Sequence, residues 1–165
     1  MTSILCFSRS RRTQVERVDD TTLKANCTMQ DTLTDAFLEI QATLPDMEVT
    51  RVRSEVKRSP RPICLDQSTY LQKIIGMRIG AGMTEILKGT LEQGNVCAEL
   101  VFMFEECCHG VILSLTRDVL AKAPSDEAGE HEFYSNMVRK NIRLYNRCAA
   151  FDAGSSLVAG LTPPE

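Results

Sequence analysis

The fold of this chain is decided by a stretch of alternating apolar and polar residues, residues 23–44, which reads LKANCTMQDTLTDAFLEIQATL. Apolar side chains take every second position before and after a polar interruption near residue 32. These positions are Leu23, Ala25, Cys27, Met29, Ala36, Leu38, Ile40, Ala42 and Leu44. Successive side chains of a strand point to opposite faces of a sheet, so a period of two predicts two strands with a common dry face.

Two further strands complete the predicted sheet. One is expected within residues 4–17, and a weaker alternation runs over residues 50–56. The segment Leu44-Pro45-Asp46-Met47 predicts a tight turn, because Pro fixes φ and Asp hydrogen-bonds its own backbone. Residues 1–58 are therefore predicted to form a four-stranded antiparallel β-meander.

A helical period replaces the strand period after Ser59-Pro60-Arg61-Pro62. Leu71, Ile74 and Ile75 have i, i+3, i+4 spacing, and Asp66 or Ser68 is expected to cap their helix. The three glycines at positions 76, 80 and 82 predict a helix junction that needs positive φ. A short helix with Met83, Ile86, Leu87 and Leu91 is expected to follow and to end at Gly94.

A long helix is predicted over residues 96–121, capped by Asn95. Its apolar spacing is the i, i+3/i+4, i+7 signature of a helix that buries one face. The stripe is Cys97, Leu100, Val101, Phe104, Cys108, Val111, Ile112, Leu115 and Val119. We expect this stripe to lie on the dry face of the sheet. A polar loop over residues 122–132 and a last helix over residues 133–145 complete the helical half.

The predicted fold class is thus α+β, a four-stranded antiparallel meander packed by a long helix and shorter helices. Residues 1–150 are predicted to form a single domain, with a meander half (1–58) and a helical half (65–150). The remaining residues, 151–165, are predicted to be a loosely ordered tail.

Composition disfavours several classes of function. The formal net charge is −3, and the chain has six Phe, three Tyr and no Trp, so nucleic-acid binding is not expected. No apolar run reaches the ~18 residues that a membrane span needs, and the N-terminus lacks the pattern of a signal peptide. A cytoplasmic protein is therefore predicted, with its seven cysteines as free thiols.

Several segments resemble one bacterial family. They are residues 60–64 with Cys64, residues 70–82, the pair Val96-Cys97, and residues 144–151 with Cys148. Together they resemble domain-of-unknown-function family 2889, which is uncharacterised. The resemblance covers most of the chain and implies the fold and no activity. Where the family carries histidines, this chain has Thr34 and Glu99.

Cys97 is the first candidate for chemistry. Its place in the predicted first turn of the long helix would lower the pKa of the thiol and favour a nucleophilic thiolate. The alternative is a small thiol packed at the start of a helix. Cys64, Cys97, Cys148 and Glu99 are also candidate ligands for zinc or iron, because thiolates and carboxylates bind these metals. Their long spacings leave open whether they converge.

Other clusters have simpler interpretations. In Cys107-Cys108-His109, neighbouring helical side chains point about 100° apart, so a buried Cys108 between an exposed Cys107 and His109 is expected. The basic residues of segment 51–61 are expected to be solvated on the wet face or at the edge of the sheet. An acidic partner for this segment is the alternative.

The run Val101-Phe102-Met103-Phe104 covers more than one face of a helix. The sheet can bury Val101 and Phe104, so Phe102 and Met103 are predicted to contact a second copy or a different protein, or to lie beneath the last helix. This pattern favours a non-catalytic accessory subunit of a larger enzyme complex. Family context suggests an anaerobic aromatic carboxylase or decarboxylase. The alternative is a small cysteine- or metal-dependent enzyme centred on Cys97.

Overall fold

The computed structural model describes residues 4–65, 68–80, 82–91, 96–146 and 148–162. These residues form two compact units, one up to residue 116 and the other from residue 117. The predicted α+β class and the antiparallel meander are confirmed. The strands are β1 (Arg9–Arg17), β2 (Thr22–Asp31), β3 (Asp35–Thr43) and β4 (Glu48–Arg58), in the sheet order β1-β2-β3-β4.

The dry face of the sheet follows the alternation in residues 23–44. Cross-strand pairs such as Cys27 with Leu38 and Ala25 with Ile40 put apolar side chains side by side, and all four are fully buried. The neighbouring pairs, such as Asn26 with Glu39, lie on the other face and are only half-buried. A slip of one residue would exchange the two faces, so burial fixes the register.

Segment 72–79 covers the outer edge of β4. The backbone N–H of Val49 donates to the Met77 oxygen at 2.8 Å, and Gly76 N–H donates to the Val49 oxygen at 2.8 Å. Gly76 has φ +90° and Gly82 has φ +75°, so the predicted junction with positive φ is confirmed. The turn after β3 spans residues 44–47, as predicted.

Within the ranges that the structure describes, four α-helices follow the sheet. They are α1 (Ser68–Leu71), α2 (Met83–Leu91), α3 (Ala98–Leu120) and α4 (Glu127–Lys140). Segment 68–74 is only one α-turn with a 3-10 turn after it, rather than a longer helix. Two predicted caps, Asp66 and Asn95, and the predicted helix end at Gly94 lie outside the described residues. No helix in the described part of the chain combines the length and the apolar character that crossing a membrane requires.

The long helix α3 packs on the dry face of the sheet. The Cys107 thiol lies 3.9 Å from the Leu38 carbonyl oxygen. At Gly110 the helix comes so close to β1 that an added Cβ would lie 3.1 Å from Val15 Cγ2 and 3.2 Å from Thr13 Cγ2. A side chain at this position would therefore be tight against β1, and its neighbours would have to shift by a few tenths of an ångström.

The buried stripe of α3 differs from the predicted one by a small rotation of the helix. The fully buried residues are Leu100, Met103, Phe104, Cys107, Cys108 and Val111. Val101 is only half-buried, and Cys107, which was expected to be exposed, is in the core. Both stripes have the spacing of one helical face, and apolar character alone does not distinguish between them.

The second unit corrects three predictions. Helix α4 begins at Glu127, inside the predicted loop, because the Asp126 side chain caps it by accepting from Gly129 N–H at 2.8 Å. Phe151 and Val158, in the predicted loose tail, are buried in a small core with Val138. Helix α4 also ends at Lys140 and not at residue 145. The single domain over residues 1–150 stays a prediction, and residues 163–165 of the tail lie outside the described residues.

Candidate functional site

Three of the four predicted ligand residues come together at the start of α3. Cys97 directly precedes the helix, and its thiol donates to Glu99 Oε2 at 2.9 Å. The thiol also forms a hydrogen bond with the Cys64 side chain, which lies in the 3-10 turn Pro62–Leu65. Cys64 is buried, and Cys97 is half-buried. We call these three residues the thiol cluster.

The electrostatics of the thiol cluster are opposite to those predicted. Burial, the hydrogen bond with Cys64 and the interaction with Glu99 raise the pKa of Cys97 to about 12. The hydrogen bond from Cys97 in turn lowers the pKa of Glu99. The prediction of a lowered Cys97 pKa is therefore wrong, because burial and a carboxylate acceptor outweigh the helix N-terminus. Cys97 is a protonated hydrogen-bond donor at neutral pH.

For the metal hypothesis, the observed contacts are among three predicted ligands of the first unit, Cys64, Cys97 and Glu99. Cys148 is exposed and belongs to the second compact unit. Within the ranges that the structure describes, no group of three or more His, Cys, Asp or Glu residues is arranged to hold a metal ion. The contacts of Cys97 with Cys64 and Glu99 join these residues pairwise, and zinc or iron binding stays a prediction.

The predicted partner interface needs correction. Met103 is fully buried in the core of the first unit, so it is not available to a partner. Phe102 is half-buried, and the Arg11 guanidinium lies over its ring, 4.3 Å from the centroid. The aliphatic part of an arginine covers apolar surface while its charge attracts the ring face. Sequence reasoning missed this cover because Arg11 lies 91 positions before Phe102.

An ionic corner near the β2–β3 turn was also missed. The buried Asp31 carboxylate accepts from Arg9 Nη2 at 2.6 Å and from the N–H groups of Leu33 and Thr34 at 2.7 and 2.6 Å. Burial alone would raise the pKa of Asp31, but these hydrogen bonds lower it. The Asp31 carboxylate thus holds two N–H groups of the turn and Arg9 of β1, so the role of this corner is structural.

A cleft separates the edge strand β1 from the outer side of α3. Its volume is about 580 Å³. The residues that line it are Thr13, Val15, Glu106, His109, Gly110, Ile112 and Leu113. Leu113 is 67% exposed, although it belongs to the helix that forms the core. We call this the β1–α3 cleft.

The second unit has its own cleft, with a hydrogen bond of 3.0 Å between His131 Nε2 and Ser156 Oγ. A serine next to a histidine is the beginning of a nucleophilic pair. However, both residues are exposed, and the described residues place no group on the other ring nitrogen to orient the histidine. This contact therefore does not form a catalytic arrangement.

The comparisons with known proteins add no relative. No protein-family model, curated protein or solved structure matches the chain. The resemblance to family 2889 stays a prediction. The geometry of the β1–α3 cleft and of the thiol cluster is therefore the basis for a functional proposal.

Proposed function

We propose that this protein is a non-catalytic accessory subunit that binds a partner protein through the β1–α3 cleft. The observation that carries the proposal is the exposure of Leu113 beside this apolar cleft, at 67%. Apolar area that leaves water contributes about 25 cal/mol per Å² to association. A partner at this position would bury Leu113 together with Val15 and Ile112.

Cys97 gives catalysis little support. A nucleophilic cysteine needs a thiolate near neutral pH, whereas a pKa of about 12 leaves Cys97 protonated. The Cys97 thiol donates a hydrogen bond to the Glu99 carboxylate at 2.9 Å, and this bond holds the thiol in its protonated form. The cysteine- or metal-dependent enzyme is the second candidate, favoured only by the contacts within the thiol cluster.

If the partner binds at the β1–α3 cleft, Leu113→Glu should weaken its binding. A carboxylate in the cleft would oppose burial against a partner, so we expect at least a ten-fold loss of the protein that copurifies with the tagged native chain. The far-UV circular dichroism should not change, because Leu113 is largely exposed. Leu33→Glu is the matched control, since Leu33 is 55% exposed and lies outside the cleft.

The preparation is made anaerobically, its size is measured in solution, and its zinc and iron contents are determined. A stoichiometric partner that the control retains and Leu113→Glu releases supports the proposal, and its identity tests the suggested carboxylase or decarboxylase. A monomer without a partner under these conditions contradicts the proposal. Stoichiometric metal that Cys97→Ala removes would favour the second candidate instead.

A further inference from the structure

The backbone of β1 is open on one side over residues 11–15. Val18 N–H donates to the oxygen of Thr22, its directly opposite residue, at 2.9 Å. In an antiparallel pair, residues alternate between bonding the neighbouring strand and pointing away from it. The N–H and C=O groups of Arg11, Thr13 and Val15 therefore point away from β2. Within the described residues, no strand lies beyond β1.

The two edges of the sheet differ in this respect. On the outer side of β4, Val49 N–H donates to the Met77 oxygen and the Val49 oxygen accepts from Gly76 N–H. The Val52 oxygen accepts from Gln72 Nε2 at 3.0 Å. The edge at β1 instead borders the β1–α3 cleft. A strand added to β1 would lie about 4.8 Å away, and its inward side chains would reach Ile112 and Leu113.

The charge of β1 selects among occupants. The strand reads RSRRTQVER, with four arginines and one glutamate. If two copies paired antiparallel about Thr13, Arg9 would face Arg17; if they paired about Gln14, Arg11 would face Arg17. Like charges directly opposite each other destabilise a pair of strands, which counts against a second copy in these registers, although pairing about Gln14 also sets Arg12 opposite Glu16. Arg9 already pairs with Asp31, so Arg11 and Arg12 are the arginines that would favour carboxylates of a partner.

We propose that β1 accepts an extended acidic segment of the partner as a fifth strand. The segment has apolar or β-branched residues opposite Thr13 and Val15 and acidic residues opposite Arg11 and Arg12. Main-chain hydrogen bonds supply affinity, and the cleft and arginines supply specificity. The inference rests on the proposed function and deepens it, because it names the class of partner.

The test uses the full chain and a blocked peptide, EEVTVTVEE, as the probe. We expect the peptide to bind and to shift the backbone amide signals of Arg11, Thr13 and Val15 in NMR spectra. Thr13→Pro should weaken binding about ten-fold or more, because it removes an N–H that points to the added strand. The fold should tolerate this proline, since that N–H does not bond β2.

Three controls keep the test specific. Thr50→Val replaces the same type of residue at an exposed position of β4 outside the cleft, so it should bind the peptide as the native chain does. The peptide KKVTVTVKK should bind at least ten-fold more weakly than the acidic peptide. Thermal unfolding of Thr13→Pro checks that β1 remains in the sheet. If β1 does not remain in the sheet, a peptide N-methylated at its central valine is used with the native chain in place of this variant.

Four results with the chain and the peptides would overturn the inference, and a fifth concerns the native partner. Two of them concern the peptides: the acidic peptide does not bind, or the lysine peptide binds equally well. The third is displacement of the acidic peptide by a single-stranded oligonucleotide. The fourth is a dimer of the chain that Thr13→Pro dissociates. A native partner that Thr13→Pro retains and Leu113→Glu releases would overturn strand addition and leave the accessory-subunit proposal standing. If the native chain is a monomer without a partner, both strand addition and the accessory-subunit proposal are contradicted.

Discussion

At the scale of single residues, burial decides the chemistry of the cysteines. Cys107 and Cys108 lie in the core, and burial raises the pKa of both thiols, that of Cys108 to about 12. Burial, together with the contacts of Cys64 and Glu99, has the same effect on Cys97. The thiols therefore contribute as small apolar groups and hydrogen-bond donors.

The thiol-specific reagent DTNB should distinguish two classes of cysteine at pH 8. The exposed Cys6 and Cys148 should react quickly, and the buried cysteines only after unfolding. Cys97 should belong to the slow class, because its thiol is half-buried and protonated. Mass spectrometry of the labelled peptides measures this. Labelling of Cys97 as fast as that of Cys148 would contradict the assignment and favour a reactive thiolate.

The same pKa gives the sign of a pH dependence. Cys97 has a raised folded pKa of about 12 against an ordinary 9.0, so its contribution to stability is complete below pH 9 and is lost as the pH rises toward 12. The free energy of unfolding should therefore fall over this range in urea titrations. The free energy of unfolding of Cys97→Ala should fall less steeply with pH. That of Cys148→Ala, at an exposed position, should change with pH as in the native chain.

At the scale of elements, the contact between α3 and β1 positions the cleft. Gly110 permits the close approach, and Arg11 of β1 covers Phe102 of α3. The cleft lies at this contact, since Thr13, Val15 and Gly110 line it together with Leu113. The packing of two elements thus creates a surface that neither carries alone.

Gly110→Val tests this contact. The side chain would force β1 and α3 apart, and we expect a loss of about 1–3 kcal/mol in the free energy of unfolding. Gly89→Val in α2 is the matched control, because no atom lies within 4 Å of a Cβ there. The control should be neutral or slightly stabilising, since valine is a better helix former than glycine. Chemical denaturation measures both, and an equal effect would contradict the close contact.

At the scale of the whole molecule, the described residues form two hydrophobic cores rather than one. The core of the first unit lies between the sheet and α3, and the second core contains Val138, Phe151 and Val158. Asp126 and Ser155 cap the helical turns of the second unit through their side chains. The residues expected to form a loose tail therefore have a packing role.

Val138→Asp should unfold the second unit selectively. Val138 is fully buried, and an unpaired charge there should cost about 3 kcal/mol or more. Amide signals from residues 117–162 should lose dispersion in NMR spectra, while Leu38 and Ile40 in β3 keep their protection from hydrogen exchange. Asn136→Asp adds the same charge at an exposed position of α4 and should change little. Loss of protection in β3 would show that the units do not fold separately.

The sequence by itself determined the meander, its dry face, the turn at residues 44–47, the glycine junction and the existence of α3. These features depend on local periodicity and backbone preference, which a short window of sequence contains. The start of α4 at Asp126 was also readable from its capping residue, but the surrounding charges resembled a loop.

Only the tertiary structure decided which side of α3 is buried and which residues form the candidate surface. Met103 and Phe102 have the same apolar character in the sequence, yet one is in the core and the other lies beneath Arg11. The pKa of Cys97 likewise depends on Cys64, which lies 33 positions earlier. Burial and contact between distant residues follow from how sheet and helix pack, and a local pattern does not contain that information.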